Sequence, residues 1–157
     1  MKPNVLARGA YTIMKEVARH VLRRPVVGIA AAAHTKDDRW LLIRRADSGE
    51  WALPGGTLEW GETLNVAIVR ELLEEAGVEA PKLGRLVGVY SEPWRDPRFH
   101  AVTVVVEAEI EPPARRPENP VEILEARLFT RAELPKQLSH QMTPMLEDAL
   151  AGKSRLE

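Results

Sequence analysis

The sequence predicts a mixed α/β (α+β) fold that begins with an extra N-terminal helix. Three observations support this: a helical apolar period near the start, short apolar or β-branched runs separated by turn residues, and a capped acidic helix in mid-chain. With 157 residues, the chain is long enough for one domain with a sizeable core. We divide it into a helical extension at residues 1–24 and a main domain at residues 25–157.

The composition argues against several classes of partner. The formal net charge is −1, from 22 basic and 23 acidic residues, so no broad field attracts nucleic acid or an anionic membrane. The chain has no cysteine, which excludes disulfides and thiolate metal sites and fits a reducing compartment. No apolar run approaches the roughly 20 residues of a membrane span, and the start lacks a signal-peptide core. We therefore expect a cytoplasmic protein without nucleic-acid or membrane partners.

The N-terminal segment at residues 10–24 repeats apolar side chains with a helical period. Ile13, Val17 and Val21 follow one another at intervals of four, and Pro25 ends the pattern. Because this helix precedes the main domain, we expect it either to cover the sheet or to pack on a second subunit. The second alternative predicts a homodimer through the N-terminal helix.

The main domain begins with strand signals and continues with alternating elements. Residues 26–34 are a short apolar run of small side chains, and a charged turn at residues 36–39 leads to a returning strand at residues 40–45, which predicts a hairpin. Pro54, Gly55 and Gly56 then predict a sharp turn that lets a main-chain carbonyl point inward. The remaining expected elements are strands at 83–90, 100–110 and 123–129, a short helix at 131–134 and a terminal helix at 142–151.

The central stretch, residues 56–78, reads GTLEWGETLNVAIVRELLEEAGV and predicts a capped helix with one acidic face. Glu71, Glu74 and Glu75 stand at positions i, i+3 and i+4, so their carboxylates share a face about one turn long. Gly77 is placed to end the helix in a left-handed cap. The apolar side chains expected to be buried lie opposite: Val66, Val69, Leu73 and Ala76, flanked by Leu72.

Three crowded carboxylates call for a cation. Hard oxygen donors suit Mg²⁺, for which Mn²⁺ can substitute, better than zinc. Arg70 lies four residues before Glu74, where it can hold that carboxylate in one rotamer. The alternative is a solvated acidic face, which composition alone favours.

The same stretch resembles the Nudix box. It has a glycine, five residues, a glutamate, seven residues, then Arg-Glu, an apolar residue, any residue, Glu-Glu, any residue, glycine and an apolar residue, and every defining position is filled. The resemblance implies a Nudix fold, with a mixed β-sheet sandwiched between helices, and hydrolysis of a nucleoside diphosphate linked to another moiety. It also implies that divalent metal is held by Glu71, Glu74, Glu75 and the carbonyl of Gly55.

The catalytic residues implied by the resemblance are Glu71, Arg70 and Glu122. The general base is either Glu71 or a later loop carboxylate, because the family places it differently in different branches. Glu118 and Glu122 are the loop candidates, and we select Glu122. Solvated loop glutamates are the ordinary alternative.

Substrate-binding residues are expected mainly in the loop at residues 91–99. Its sequence, SEPWRDPRF, places two arginines and two aromatic residues within six positions, so Arg95 and Arg98 can clamp a diphosphate while Trp94 or Phe99 stacks on a base. The alternative is a solvent loop pinned by its aromatic side chains. Arg45, at the end of the second strand, is a further expected phosphate contact, with surface charge as its alternative.

A second resemblance concerns residues 90–106, YSEPWRDPRFHAVTVVV. This run is similar to the segment that follows the box in ADP-ribose pyrophosphatases and related nucleoside diphosphate sugar hydrolases, although Phe99 stands where a glycine often follows RDPR. It implies Mg²⁺-dependent hydrolysis of the pyrophosphate bond of a nucleotide sugar such as ADP-ribose, giving AMP and ribose 5-phosphate.

Two other functions stay open. One is a nucleoside triphosphate pyrophosphohydrolase of the 8-oxo-dGTP sanitising type, which the box alone does not distinguish. The other is a non-catalytic Nudix ligand sensor. We rank the sensor last because the sequence keeps every box glutamate and offers no spare length for a DNA-binding domain.

Overall fold

The computed structural model describes residues 11–18, 21 and 24–157. Helix α1 covers residues 11–18, and the later helices are α2 (Leu64–Ala76) and α3 (Thr143–Leu150), the last preceded by a 3₁₀ turn at Ser139–Gln141. The strands are β1 (Val26–His34), β2 (Trp40–Arg45), β3 (Trp51–Ala52), β4 (Gly55–Thr57), β5 (Lys82–Tyr90), β6 (Ala101–Glu109), β7 (Ile123–Phe129) and β8 (Arg155–Leu156).

The strands described form one mixed sheet of eight, in the order β3-β2-β1-β6-β5-β8, with β4 paired to β1 and β7 paired to β2. Strands β1 and β6 run parallel from Val26 opposite Ala101 to His34 opposite Glu109. Strand β5 pairs antiparallel with the edge of β6 that faces away from β1. The mixed sheet expected from the sequence is therefore confirmed.

Strand β1 shows why helices lie on both faces of this sheet. Its side chains alternate between faces, as a pleated strand requires. Ile29, Ala31 and Ala33 pack in the core that includes α2. Ala30 and Ala32 pack in the opposite core, which includes Met145, Leu146 and Ala149 of α3. Small side chains on β1 leave room for both helices. The predicted packing of the sheet between helices is therefore confirmed.

Helix α2 has caps at both ends. Thr63 is the N-cap, and its hydroxyl accepts a hydrogen bond from the Val66 backbone N–H at 3.4 Å. Gly77 ends the helix with φ 68°, and its N–H donates to the Leu73 carbonyl at 2.9 Å, so the expected left-handed cap is confirmed.

The buried face of α2 differs from the one expected. Its fully buried side chains are Ala67, Ile68, Leu72 and Ala76, whereas Val66 is 56% exposed. The apolar stripe is thus rotated toward Ala67 and Ile68. This rotation brings Glu71 and Glu75 to the border of the core rather than to the face opposite it.

Three short segments also differ from expectation. The stretch expected as a turn before the box contains strands β3 and β4, because it pairs with β2 and β1. Residues 131–133 form a turn and residue 134 is irregular, so the expected helix at 131–134 is absent: the Glu133 carboxylate accepts from the Thr130 hydroxyl at 2.7 Å, and Pro135 follows. The polar C-terminal tail contains β8, which pairs parallel with β5 at Gly88 and Arg155.

The N-terminal helix presents apolar side chains to solvent. Residues 11–18 and 21 are helical, whereas residue 24 is not; residues 10, 19, 20, 22 and 23 of the expected helix lie outside the described residues. Ile13, Met14, Val17 and Val21 are each more than half exposed. The described part of α1 therefore does not cover the sheet. No helix in the described part of the chain combines the length and the apolar character that crossing a membrane demands.

Candidate functional site

The site begins where strand β4 meets the end of α2. Gly55 lies opposite Ala30 of β1, and a Cβ at Gly55 would overlap the carbonyl oxygen of Ile29. Its backbone N–H donates to the Glu75 carboxylate at 2.8 Å. Because Gly55 has no side chain, β4 approaches β1 closely and holds Glu75 against the backbone.

Glu75 is the most perturbed carboxyl of the site. Burial raises the pKa of Glu75 to about 8; the Gly55 N–H opposes this, and repulsion from Glu71 adds to it. Arg45 and Glu122 are also close enough to act on Glu75, with opposite signs. A carboxyl of this kind holds a proton at neutral pH unless a cation replaces it.

Glu71 lies beneath Gly56, where a Cβ would overlap the carboxylate of Glu71. The Glu71 carboxylate accepts from Arg70 Nη1 at 2.8 Å. Burial raises the pKa of Glu71, while the guanidinium of Arg70 opposes the shift. Two neighbouring carboxyls are therefore shifted toward the protonated form by the same cause.

Arg70 is the cation that organises this side of the site. Its Nε and Nη2 donate to the two oxygens of Glu62 at 2.8 and 3.0 Å, and its contact with Glu74 is the longest, at 3.5 Å. The expected Arg70–Glu74 pair is therefore present but secondary to the Arg70–Glu62 fork. The Glu62–Arg70 pair was not expected from the sequence. Glu62 lies before the helix begins, so the spacing rules for side-chain pairs within a helix do not apply to it.

The box glutamates do not converge on one point as they stand. Among the described residues, no three His, Cys, Asp or Glu side chains are grouped closely enough to hold a metal ion. Arg70 occupies Glu71 and Glu74, and the Gly55 N–H occupies Glu75. The Glu74 side chain is nearly half exposed, so releasing it from Arg70 costs only about 0.3–0.5 kcal/mol.

The chemistry of this donor set fits a hard divalent cation. The carboxylates and the Gly55 backbone supply oxygen donors, which Mg²⁺ and Mn²⁺ prefer. A cation would also offset the burial that raises the pKa of Glu71 and Glu75. A cation bound by all three carboxylates would compete with Arg70 for Glu71 and Glu74.

The two loop carboxylates differ in their relation to this site. Glu122 is among the groups that act on Glu75, and its carbonyl accepts from the Ala46 N–H at 2.8 Å, next to Arg45. The Glu118 N–H instead donates to the Glu74 carbonyl at 2.8 Å, at the C-terminal end of α2. Of the pair, Glu122 is thus the one whose charge acts on Glu75.

Arg45 and Arg98 share one arrangement. Arg45 donates through Nε and Nη2 to Asp47, at 3.0 and 2.7 Å, and Arg98 donates through the same atoms to Asp96, at 3.0 and 2.7 Å. Each guanidinium is held by an aspartate two residues away. The hydrogen bonds and charge of Arg45 keep the pKa of Asp47 well below its usual range.

The other two predicted substrate residues are placed differently. Arg95 is buried: its Nη1 donates to the Gln141 carbonyl at 2.8 Å and its Nη2 to Glu157 at 2.5 Å. Trp94 is two-thirds exposed, and its Nε1–H donates to Glu92 at 3.0 Å. In this arrangement Arg95 anchors the loop to the end of the chain, which its sequence neighbours do not reveal.

A cluster of charged groups lies beside the acidic helix. Asp47 acts electrostatically on Arg98, and the charges of Arg45, Asp47, Asp96 and Arg98 all act on His140. We call these five residues the arginine–histidine cluster, and Glu71, Glu74 and Glu75 the acidic face. His140 was missed in the sequence, because a single histidine in a polar stretch carries no spacing signal.

A family model and curated relatives match the chain. The model described as NUDIX domain matches residues 22–149. The ADP-ribose pyrophosphatase of Methanocaldococcus jannaschii is 51% identical over 73 residues, covering 45% of this chain and 43% of that protein. The Bacillus subtilis protein named "Putative 8-oxo-dGTP diphosphatase" is 47% identical over 53 residues, covering 34% and 35%. The chain thus aligns with less than half the length of these relatives.

Solved structures match over most of the chain. The MutT NUDIX hydrolase from Burkholderia pseudomallei superposes with a TM-score of 0.66 at 32% identity, covering 80% of this chain and 98% of that one. The NUDIX domain of Shewanella oneidensis NrtR, complexed with ADP ribose, superposes with a TM-score of 0.72 at 22% identity, covering 88% and 97%, and supports the fold alone. With the complete box, the capped helix and these matches together, the chain belongs to the NUDIX family.

Proposed function

We propose that this chain hydrolyses the pyrophosphate bond of a nucleoside diphosphate sugar such as ADP-ribose, with Mg²⁺ as cofactor. The observation that carries the proposal is the acidic face, in which the half-buried Glu75 accepts from the Gly55 N–H and lies within electrostatic range of Glu71, Arg45 and Glu122. Similarity to the M. jannaschii ADP-ribose pyrophosphatase supports the choice of substrate class. For ADP-ribose the products are AMP and ribose 5-phosphate.

Glu71, Glu74, Glu75 and the Gly55 carbonyl would hold the cation. When bound, Mg²⁺ supplies charge neutralisation at the phosphates and makes an attacking water more acidic. Arg70, itself fixed by its fork to Glu62, holds one oxygen of Glu71, so the cation would share Glu71 with this guanidinium.

The proton of the attacking water passes to Glu71 or Glu122. Glu71 is held by Arg70 and packed beneath Gly56, which restricts its movement. Glu122 lies on a loop near Glu75 and is more exposed. Measuring turnover of Glu71→Gln and Glu122→Gln as a function of pH distinguishes them. Only loss of the general base removes the rise in rate with pH that reports deprotonation of that base.

Substrate phosphates would be contacted by Arg45 and Arg98, and a base would stack on the exposed Trp94. Each arginine is already oriented by an aspartate, which lowers the cost of ordering it on binding. Arg95 has a positioning role in this proposal, because it holds the loop through Glu157 and Gln141.

A second candidate is pyrophosphate release from a nucleoside triphosphate of the 8-oxo-dGTP type, which similarity to the B. subtilis relative favours. One experiment separates the two. The protein is incubated with Mg²⁺ and ADP-ribose, GDP-mannose, UDP-glucose or 8-oxo-dGTP, and the products are identified. A nucleoside monophosphate with a sugar phosphate supports the nucleotide sugar; pyrophosphate supports the triphosphate. Specific binding of ADP-ribose without turnover supports a ligand sensor.

We further propose that the protein is cytoplasmic and consists of a helical extension at residues 1–24 and a main domain at residues 25–157. In this proposal α1, in the extension, forms the contact of a homodimer. Its apolar side chains Ile13, Val17 and Val21 are exposed in one chain and would be covered by a second copy. Sedimentation of the full chain and of Val17→Asp tests this: the wild type is expected as a dimer and the variant as a monomer. A monomeric wild type would contradict the proposal.

A further inference from the structure

The turn before α3 has an unusual backbone. His140 has φ 50° and ψ 33°, and the next residue, Gln141, has φ 52°. Two consecutive residues with side chains in the left-handed region cost free energy, and such strain persists only where the surroundings hold it.

Contacts from neighbouring segments hold this turn in place. Arg95 donates to the Gln141 carbonyl at 2.8 Å, and the Gln141 side-chain amide donates to the Trp94 carbonyl at 3.3 Å. The Thr143 hydroxyl accepts from the Leu138 N–H at 2.9 Å. The two contacts of Gln141 join the turn to the loop at residues 91–99.

The strained turn places His140 among charged groups while leaving its ring unpaired. Throughout the described part of the chain, the ring nitrogens of His140 have no hydrogen-bond partner. In contrast, His34 Nε2 contacts Glu107 at 3.0 Å and His100 Nε2 contacts the Ser91 carbonyl at 2.8 Å. His140 is half-buried, so an unpaired ring nitrogen is available to a ligand without being freely solvated.

The two arginines beside His140 have donors to spare. Arg45 and Arg98 each use Nε and Nη2 on an aspartate, and within the described residues Nη1 of each makes no hydrogen bond. A guanidinium has five N–H donors, so both retain an edge for a second anion. Asp47 and Asp96 balance the two positive charges.

The imidazole is neutral at neutral pH before any ligand binds. Burial lowers the pKa of His140, Arg45 lowers it further, and Asp96 opposes these effects. A neutral ring still donates one N–H, and an approaching phosphate favours the doubly protonated form.

We propose that His140 is a substrate-contacting residue that donates a hydrogen bond to the diphosphate, between the unpaired edges of Arg45 and Arg98. The inference rests on the proposed hydrolysis of a nucleoside diphosphate sugar and adds a residue that binds its phosphates. The strained turn that carries His140 is tied to the loop that carries Arg98, and the pre-oriented arginines complete the set of donors.

A kinetic comparison tests this role. Asparagine tolerates the left-handed region, so His140→Asn removes the imidazole while retaining the backbone. The matched control is Gln141→Asn, in the same strained turn. For His140→Asn we expect KM for ADP-ribose to rise about tenfold while kcat changes less than about threefold, as loss of one hydrogen bond to a charged group predicts. Equal effects in both variants, or a loss confined to kcat, would overturn the proposal.

A binding measurement separates this inference from the proposed reaction. The imidazole pKa values are followed by NMR in EDTA, with and without millimolar inorganic pyrophosphate. We expect pyrophosphate to raise the pKa of His140 by roughly 1, with the ring signals of His34 and His100 as an internal reference. An unchanged His140 overturns the inference. Absence of hydrolysis across the substrate panel instead overturns the proposed reaction, whatever pyrophosphate does to His140.

Discussion

The acidic face is contributed by one helix, whereas the arginine–histidine cluster is assembled from three separate segments. Glu71, Glu74 and Glu75 lie within two turns of α2, and their common direction follows from helical geometry. Arg45, Arg98 and His140 come from the end of β2, the loop after β5 and the turn before α3. Local geometry therefore brings together the first group, and only the fold brings together the second.

The two regions also differ in how their charges are balanced. In the acidic face like charges adjoin, and burial raises the pKa of both Glu71 and Glu75. In the arginine–histidine cluster each arginine has its own aspartate, so the charges are matched in pairs. The first arrangement favours an added cation, and the second leaves oriented donors for an anion. Arg45 acts on both Glu75 and His140, so the two regions are neighbours. This arrangement suits a substrate whose phosphates contact the arginines on one side and a cation on the other.

The largest expected effect is on catalysis at the acidic face. Glu75→Gln retains an oxygen that accepts from Gly55 but removes the charge, so kcat for the preferred nucleotide sugar should fall at least about 100-fold, or ~2.7 kcal/mol. Steady-state kinetics with Mg²⁺ measures it, with Glu147→Gln on an exposed position of α3 as control. A Glu75→Gln enzyme within about threefold of wild type would show that metal is held elsewhere.

The next effect is on stability in the absence of metal. Because the folded pKa of Glu75, about 8, lies above its ordinary value of 4.5, the folded state keeps a proton that the unfolded state releases. The contribution of this proton to the free energy of unfolding is complete below pH 4.5. It is lost as the pH rises from 4.5 to about 8, at up to ~1.4 kcal/mol per pH unit.

Denaturant unfolding in EDTA at pH 6 and 7 measures this change as the difference between wild type and Glu75→Gln. The lowered pKa of His140 makes stability change with pH in the opposite direction. Because wild type and variant share this contribution of His140, it cancels in the difference between them. Glu147→Gln should behave as wild type. Parallel pH profiles for wild type and Glu75→Gln would contradict a raised pKa of Glu75.

A smaller effect tests the arginines. Lysine cannot make the two-pronged contact with Asp47 and also offer a second edge, so Arg45→Lys should raise KM about tenfold, or ~1.4 kcal/mol. Arg44→Lys is the matched control, since Arg44 is exposed and donates to the Gly49 carbonyl at 3.2 Å. Similar KM values for the two variants would remove Arg45 from the binding residues.

The smallest effect concerns the support of the substrate loop. Glu157 accepts from the backbone N–H groups of Ser91 and Glu92 at 3.0 and 3.2 Å and pairs with Arg95. Glu157→Gln removes its charge, and we expect local stability at residues 91–95 to fall by about 1 kcal/mol. Amide hydrogen exchange measures it. Exchange that increases equally throughout the protein would point to global destabilisation instead.

Much of the fold was predictable because its signals are local. Strands β1, β2 and β7 have the expected boundaries, and Gly77 ends α2 as expected. The short strands β3, β4 and β8 were missed, since two or three residues carry no periodic pattern and form only where a partner strand is present. The turn at residues 131–134 was mistaken for a helix for the same reason: one turn has too little pattern to identify.

By itself, the sequence determined the family and the acidic face, because a helix converts fixed spacing into fixed direction. Only the tertiary structure decided which face of α2 is buried, that Arg95 anchors a loop through Glu157, and that His140 lies beside Arg45 and Arg98. These arrangements join residues tens of positions apart, and their contacts depend on how strands and loops pack rather than on any spacing along the chain.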